Sequence, residues 1–201
     1  MQDVDLALIL ALDCSASVTL EEFAMMAAGC AAGLRNPDVA AGLTGGAHGA
    51  SLCAVLIWSG HGAQDLVLDW TLLDSPAAIA AFADDVENTP RSIIAGATAI
   101  GEALAVCENL LATLPAKADR VVIDMVGDGR SNQGVHPAIP RDRLVDAGVT
   151  INGLCVLHEE PDLVASYTND VIGGPGAFAL WCADYPEFAL AMRQKLVLEI
   201  A

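Results

Sequence analysis

The stretch VDLALILAL, residues 4–12, constrains the fold more than any other part of the chain. Apart from Asp5 it is wholly apolar, so an extended segment there presents apolar side chains to both sides. A strand buried on both faces belongs to a parallel sheet covered by helices, whereas a sheet with one wet face shows apolar–polar alternation. The run then stops in Asp13-Cys-Ser15-Ala-Ser17, which places a carboxylate and two hydroxyls at alternate positions. In open α/β sheets ligands sit beyond the carboxyl ends of the strands. The end of this strand is therefore also a candidate site.

The remaining segments fit the same architecture. SLCAVLIWS (51–59), VVIDMVG (121–127) and VTINGLCVL (149–157) read as further buried strands, and AFALWC (177–182) as the last one. QDLVLDW (64–70) alternates polar and apolar residues after Gly60-His61-Gly62, which predicts an antiparallel hairpin partner at the sheet edge. Between the strands lie helical patterns. Thr19 to Glu22 forms a capping box ahead of Phe23, Met26, Ala27, Cys30 and Leu34 at helical spacing. Ser75-Pro76 predicts a helix N-cap with proline at the first helical position. A helix begins near Thr98, with Ile100, Leu104, Cys107 and Leu111 on one face. RDRLVDAG is a short helix closed by Gly148, PDLVASYTNDVI (161–172) another, and Phe188, Ala191, Met192 and Leu196 mark the last. The pattern predicts one α/β domain over residues 1–201. Its three layers are a doubly wound, mostly parallel sheet with one antiparallel edge strand, and helices on both faces.

Bulk properties narrow the function. With 26 acidic residues against 9 basic ones the formal net charge is −17, a surface that repels a phosphate backbone, so no nucleic-acid partner is expected. No apolar run reaches the roughly 20 residues that span a bilayer, so no membrane insertion is expected. MQD supplies no basic segment of a signal peptide. Either the protein stays inside the cell or the sequence begins after a removed leader. The six cysteines show no C-x-x-C spacing and no histidine at zinc-ligand spacing, and they read as buried free thiols.

Three segments fall on one rim of such a sheet: Asp13-Cys-Ser15-Ala-Ser17, Gly96-Ala-Thr98-Ala-Ile-Gly101 and Gly127-Asp128-Gly129-Arg-Ser-Asn132. Each alone has a plainer reading, a helix cap or turn for the serines and a tight turn for Asp128-Gly129. Together they offer hard oxygen donors, which suit Mg²⁺ or Mn²⁺ and not a soft metal. Two serines, a threonine and water-bridged carboxylates can supply the octahedral oxygen shell of magnesium with one position left open.

DxSxS followed by a distant threonine and aspartate resembles the metal-ion-dependent adhesion site (MIDAS) of von Willebrand factor A (vWA) domains, and the order of elements matches that Rossmann-like fold throughout. VDLALILALDCSAS, TINGL and VIGGPGAF further resemble an uncharacterised bacterial family of such domains. The resemblance implies that Asp13, Ser15, Ser17, Thr98 and Asp128 arrange a metal, Mg²⁺ or Mn²⁺, whose vacant site takes a carboxylate from a protein partner. It also implies a binding module without catalysis, and leans towards export with the leader removed, against which the cysteine usage points. Two positions depart from the usual pattern. Ala16 stands where glycine separates the serines, at a cost of about 1 kcal/mol if that residue needs a positive φ. Gly127 stands where serine or threonine precedes the aspartate.

VGDGRSN also resembles a segment of haloacid dehalogenase-like phosphatases, which place an aspartate nucleophile after the first strand and an acid two residues later. Ser15 occupies that second position here, and its hydroxyl cannot cycle a proton near neutral pH. A vWA-like scaffold without metal dependence is a third reading. No GxSxG elbow supports a serine hydrolase. The four histidines are read as solvated, Asp84-Asp85-Val-Glu87 as a solvated helix face, and Trp58, Trp70 and Trp181 as core or strand-end packing. The VIGGPGAF loop has no assigned role.

Overall fold

The computed structural model describes residues 3–200. Six strands, β1 (Val4–Asp13), β2 (Ser51–Trp58), β3 (Gln64–Leu73), β4 (Ala118–Gly127), β5 (Thr150–Val156) and β6 (Ala179–Cys182), form one sheet in the order β3-β2-β1-β4-β5-β6. All neighbours are parallel except β2 and β3, so the antiparallel edge strand is where the alternating QDLVLDW pattern predicts it. The chain winds outward from β1 in one direction, then returns to β4 and winds the other way. The reversal point therefore lies between β1 and β4, at the carboxyl end of the strand that stops in Asp13.

The helices are α1 (Leu20–Leu34), α2 (Pro37–Leu43), α3 (Pro76–Glu87), α4 (Ile100–Leu111), α5 (Ala138–Asp146), α6 (Leu163–Ser166) and α7 (Phe188–Ile200). Strand β1 explains the layering. Leu6, Leu8, Leu10 and Leu12 pack with Met26 and Leu34 of α1, Phe82 of α3 and Met192 and Leu196 of α7. Ile9 and Ala11, on the opposite side, pack with Leu104 and Cys107 of α4 and with Tyr167. The unbroken apolar run is thus two interleaved apolar faces, each covered by its own helical layer. All six cysteines are buried free thiols within these layers.

Caps form where the sequence places them. The Thr19 hydroxyl accepts from the Glu22 N–H at 3.2 Å, and the Glu22 carboxylate accepts from the Thr19 N–H at 2.8 Å. Ser75 Oγ accepts from the Ala78 N–H at 3.3 Å. Gly148, two residues past α5, has φ +86°, a left-handed conformation that glycine adopts freely.

Four details differ from the sequence reading. Helix α2 is additional, and its signal is Asn36-Pro37, with Asn36 Oδ1 accepting from the Asp38 N–H at 3.0 Å. The segment 161–172 is not one helix. After the single turn of α6 the chain widens into a π-helical turn over Tyr167–Val171, closed by the Ile172 N–H on the Tyr167 carbonyl at 2.9 Å. Leu163, Tyr167 and Val171 are all buried, and their four-residue repeat drifts off a 3.6-residue helix face unless the winding loosens. Asp84 and Glu87 are not simply solvated, because Arg35 pairs with both across the gap between α1 and α3. Finally, Trp58 is fully buried, but Trp181 on edge strand β6 is 58% exposed.

Candidate functional site

The three rim segments meet. Asp13 ends β1 with its carboxylate buried, and its Oδ1 accepts from the Ser15 N–H at 2.6 Å, an Asx turn that throws the chain out of the strand. The turn sets the hydroxyls of Ser15 and Ser17 side by side, 3.1 Å apart. Ser17 Oγ donates to Asp128 Oδ1 at 2.7 Å, joining the end of β1 to the end of β4 across the reversal point. Tyr185 donates its hydroxyl to the other Asp128 oxygen at 3.2 Å.

Thr98 is held beside them by a reciprocal pair. Its N–H donates to Asn132 Oδ1 at 2.9 Å and its carbonyl accepts from the Asn132 N–H at 2.8 Å. Its hydroxyl oxygen is 3.7 Å from the place a Cβ on Gly129 would occupy, so Thr98 lies against the Asp128-Gly129 turn. The Ala16 N–H donates to the Gly96 carbonyl at 2.8 Å, tying the first segment to the second. Asp13, Ser15, Ser17, Thr98 and Asp128 therefore share one rim. Ser17 is half-buried and the other four are buried.

Both departures from the usual pattern have a local answer. Among the described residues no non-glycine residue has a positive φ, so Ala16 carries no left-handed strain. At Gly127 an added Cβ would come within 2.7 Å of the Tyr167 hydroxyl and 3.0 Å of Asp13 Oδ2. Tyr167, brought in by the π-helical turn, fills the space that a side chain at 127 needs. Glycine is the residue that this approach allows.

Electrostatics set the demand of the site. Burial, then the charge of Asp128, pushes the Asp13 carboxyl up to about 7. Burial likewise raises Asp128, opposed by the hydrogen bonds from Ser17 and Tyr185. Asp13 Oδ2 is buried and has no hydrogen-bond partner among the described residues, and the same is true of the Tyr167 hydroxyl. An orphaned carboxylate oxygen beside neutral hydroxyls and a second carboxylate is a donor set that fits a hard cation.

Several contributors escaped the sequence reading. Arg91 donates through Nη2 to the carbonyls of Cys14 at 2.6 Å and Ser15 at 2.8 Å, clamping the serine turn from outside. Its signal is its isolation, as the one Lys or Arg between Arg35 and Lys117. Ser59, past β2, accepts through Oγ from the Gly96 N–H at 2.8 Å and steadies the Thr98 segment. Tyr185 and Tyr167 carry no sequence signal of their role. His158 is not simply solvated either: its ring meets that of Tyr185 edge-on at 5.5 Å.

A family model matches residues 3–201, that of the protein family of unknown function DUF1194. The chain belongs to the DUF1194 family. Among curated proteins, none matches this DUF1194 chain. Its fold is that of vWA domains in solved structures. Proximal thread matrix protein 1 from the mussel byssus superposes with a TM-score of 0.70 at 17% identity, covering 98% of the DUF1194 chain and 48% of its own. A second form of that protein, with a zinc-occupied MIDAS motif, gives 0.67 at 22% identity, with the same coverage. A von Willebrand factor type A protein from Catenulispora acidiphila gives 0.65 at 19% identity, with 98% and 43% covered. The DUF1194 chain thus spans about half or less of the length of these relatives.

Proposed function

We propose that this chain, as one vWA-like domain over residues 1–201, is a divalent-cation-dependent protein-binding module. Asp13, Ser15, Ser17, Thr98 and Asp128 would hold Mg²⁺ or Mn²⁺. The cation supplies a positive, partly coordinated centre for a carboxylate of a partner protein. The chain's own residues do the rest. Arg91 and the Asp13–Ser15 turn fix the hydroxyl pair, while Tyr185 and Ser17 fix Asp128. Neutral hydroxyls offset less of a cation's charge than carboxylates do, which favours an acidic newcomer. Two exposed aliphatic side chains flank the rim, Leu20 just after the serine turn at 72% exposure and Ile94 just before Gly96 at 87%. They offer apolar contact around the central ionic one.

The observation that carries this reading is the Ser15–Ser17–Asp128 chain of contacts beside the orphaned Asp13 oxygen. Support also comes from neighbours of the same fold, among them the pilus adhesin SpaC of Lactobacillus rhamnosus GG, TM-score 0.66 at 11% identity. A phosphatase is disfavoured because Ser15, with its hydroxyl against Ser17, stands where that chemistry needs an acid. Titration calorimetry with Mg²⁺ and Mn²⁺ tests the proposal. Wild type should bind one ion and Asp13→Ala should not. Absence of binding by wild type removes the cation and leaves the metal-independent scaffold, whose supporting feature is that Ser17 and Tyr185 already satisfy Asp128.

A further inference from the structure

The rim leaves unused a second group of buried polar residues, enclosed beneath α7. Lys195 and Asp124 are fully buried, and Glu199 and Asn152 are each 2% exposed. Asp124 lies in mid-β4 with Asn152 opposite it in register on β5, and Lys195 and Glu199 are one turn apart on α7. Lys195 Nζ contacts Asp124 Oδ1 directly. It also donates to both Glu199 oxygens, at 3.0 and 3.3 Å. Asn152 Nδ2 donates to Glu199 Oε1, and Asn152 Oδ1 accepts from the Phe178 N–H at 3.0 Å. Phe178, at the end of the VIGGPGAF loop, covers the group with its ring, 5.5 Å from Nζ.

As a mere ion pair this arrangement is a poor stabiliser, because desolvating the charges offsets most of their attraction. Its proton inventory suits a different purpose. Burial, then the charge of Glu199, holds Asp124 well above the ordinary carboxylate range, as the neutral acid. Burial acts to raise Glu199 too, but the Lys195 charge reverses this and keeps it ionised. Neither Asp124 oxygen has a hydrogen bond of ordinary geometry among the described residues. Burial acts to lower Lys195, but Asp124 and Glu199 outweigh it and keep Lys195 as the ammonium. The enclosure therefore holds an ammonium against a carboxylic acid, with a carboxylate base touching the ammonium.

We propose that Lys195 and Asp124 condense into an intramolecular isopeptide bond, with Glu199 carrying the protons. Glu199 takes one proton from the Lys195 ammonium, and the freed amine attacks Cγ of Asp124. Glu199 returns that proton to the departing Asp124 hydroxyl, which leaves as water, and takes a second proton from the nitrogen. One C–N bond forms and one C–O bond breaks. One water is released, Glu199 ends as the neutral acid, and no charge is created. Holding Nζ against Oδ1 of the same carboxyl group whose Cγ it attacks replaces a bimolecular encounter, and the buried enclosure disfavours the separated charges of the reactants. A cavity of about 430 Å³, lined by Asn152, Phe178 and Glu199 among others, gives the water a way out. The proposal is independent of the cation site.

Intact-mass spectrometry of the purified full chain, followed by peptide mapping, tests it. Wild type should weigh one water less than its sequence and yield a branched peptide joining the segments around 124 and 195. Lys195→Met and Glu199→Gln should show the full sequence mass. Asp124→Ala, which has no carboxyl carbon to attack, should likewise show its full sequence mass. A folded wild type at full sequence mass overturns the proposal. So does a water loss that maps to the Asp128-Gly129 step as a succinimide. A link that persists in Glu199→Gln overturns the assignment of Glu199.

Discussion

Asp13→Asn separates the electrostatic cost of the rim from its binding role. In the folded protein the Asp13 carboxyl titrates at about 7, against 3.8 when unperturbed, with burial as the main cause and Asp128 as the second. Because the folded value is the higher one, the native state holds its proton where the unfolded chain has lost it. Stability from this group is complete below 3.8 and declines until the pH passes about 7. At about 1.4 kcal/mol per pH unit, the full loss is about 4 kcal/mol, of which about 3 kcal/mol falls between pH 5 and pH 8. Asparagine keeps the oxygen that accepts from the Ser15 N–H and has no charge to bury. Urea denaturation in a chelator, at both pH values, should therefore show Asp13→Asn gaining on wild type by about 3 kcal/mol from the lower pH to the higher. Adding Mg²⁺ at a hundred times its dissociation constant should then raise wild type alone, by about 2.7 kcal/mol. A wild-type-to-variant gap that stays constant with pH in the chelator would refute the burial argument.

Other substitutions test the local geometry. Gly127→Ala should destabilise by about 1–3 kcal/mol in thermal or urea unfolding, through the collision of its Cβ with the Tyr167 hydroxyl. Tyr167→Phe in the same chain should recover part of that loss. Ala16→Gly should leave metal affinity unchanged by calorimetry and cost less than about 1 kcal/mol, since residue 16 needs no positive φ. Thr19→Ala should cost about 1 kcal/mol by removing half of the capping box.

The parts of this fold that were legible in the sequence are those governed by local rules. The two-sided apolar run of β1, the alternation in β3, and the Thr19 and Ser75 caps each express a period or a cap within a few residues. The five rim residues could be grouped because each lies at an element boundary, and the reversal of winding gathers such boundaries at one edge. Partners met only in three dimensions stayed hidden. Tyr167 reaches Gly127 through a π-helical turn that a helical pattern does not announce. The contact of Lys195 with Asp124 joins the last helix to a mid-sheet position, a pairing across 71 residues that no local period or cap announces. The exposure of Trp181 follows from the place of β6 at the sheet edge, which strand order alone decides.

The chain has two tyrosines, and both stand beneath the same rim, Tyr185 bonded to Asp128 and Tyr167 against Gly127 next to Asp13. The phenol absorbance of the whole protein is therefore a local optical reporter of that one place. Lanthanide luminescence excited through tyrosine would give the arrival of an ion there its own colour, with no label attached.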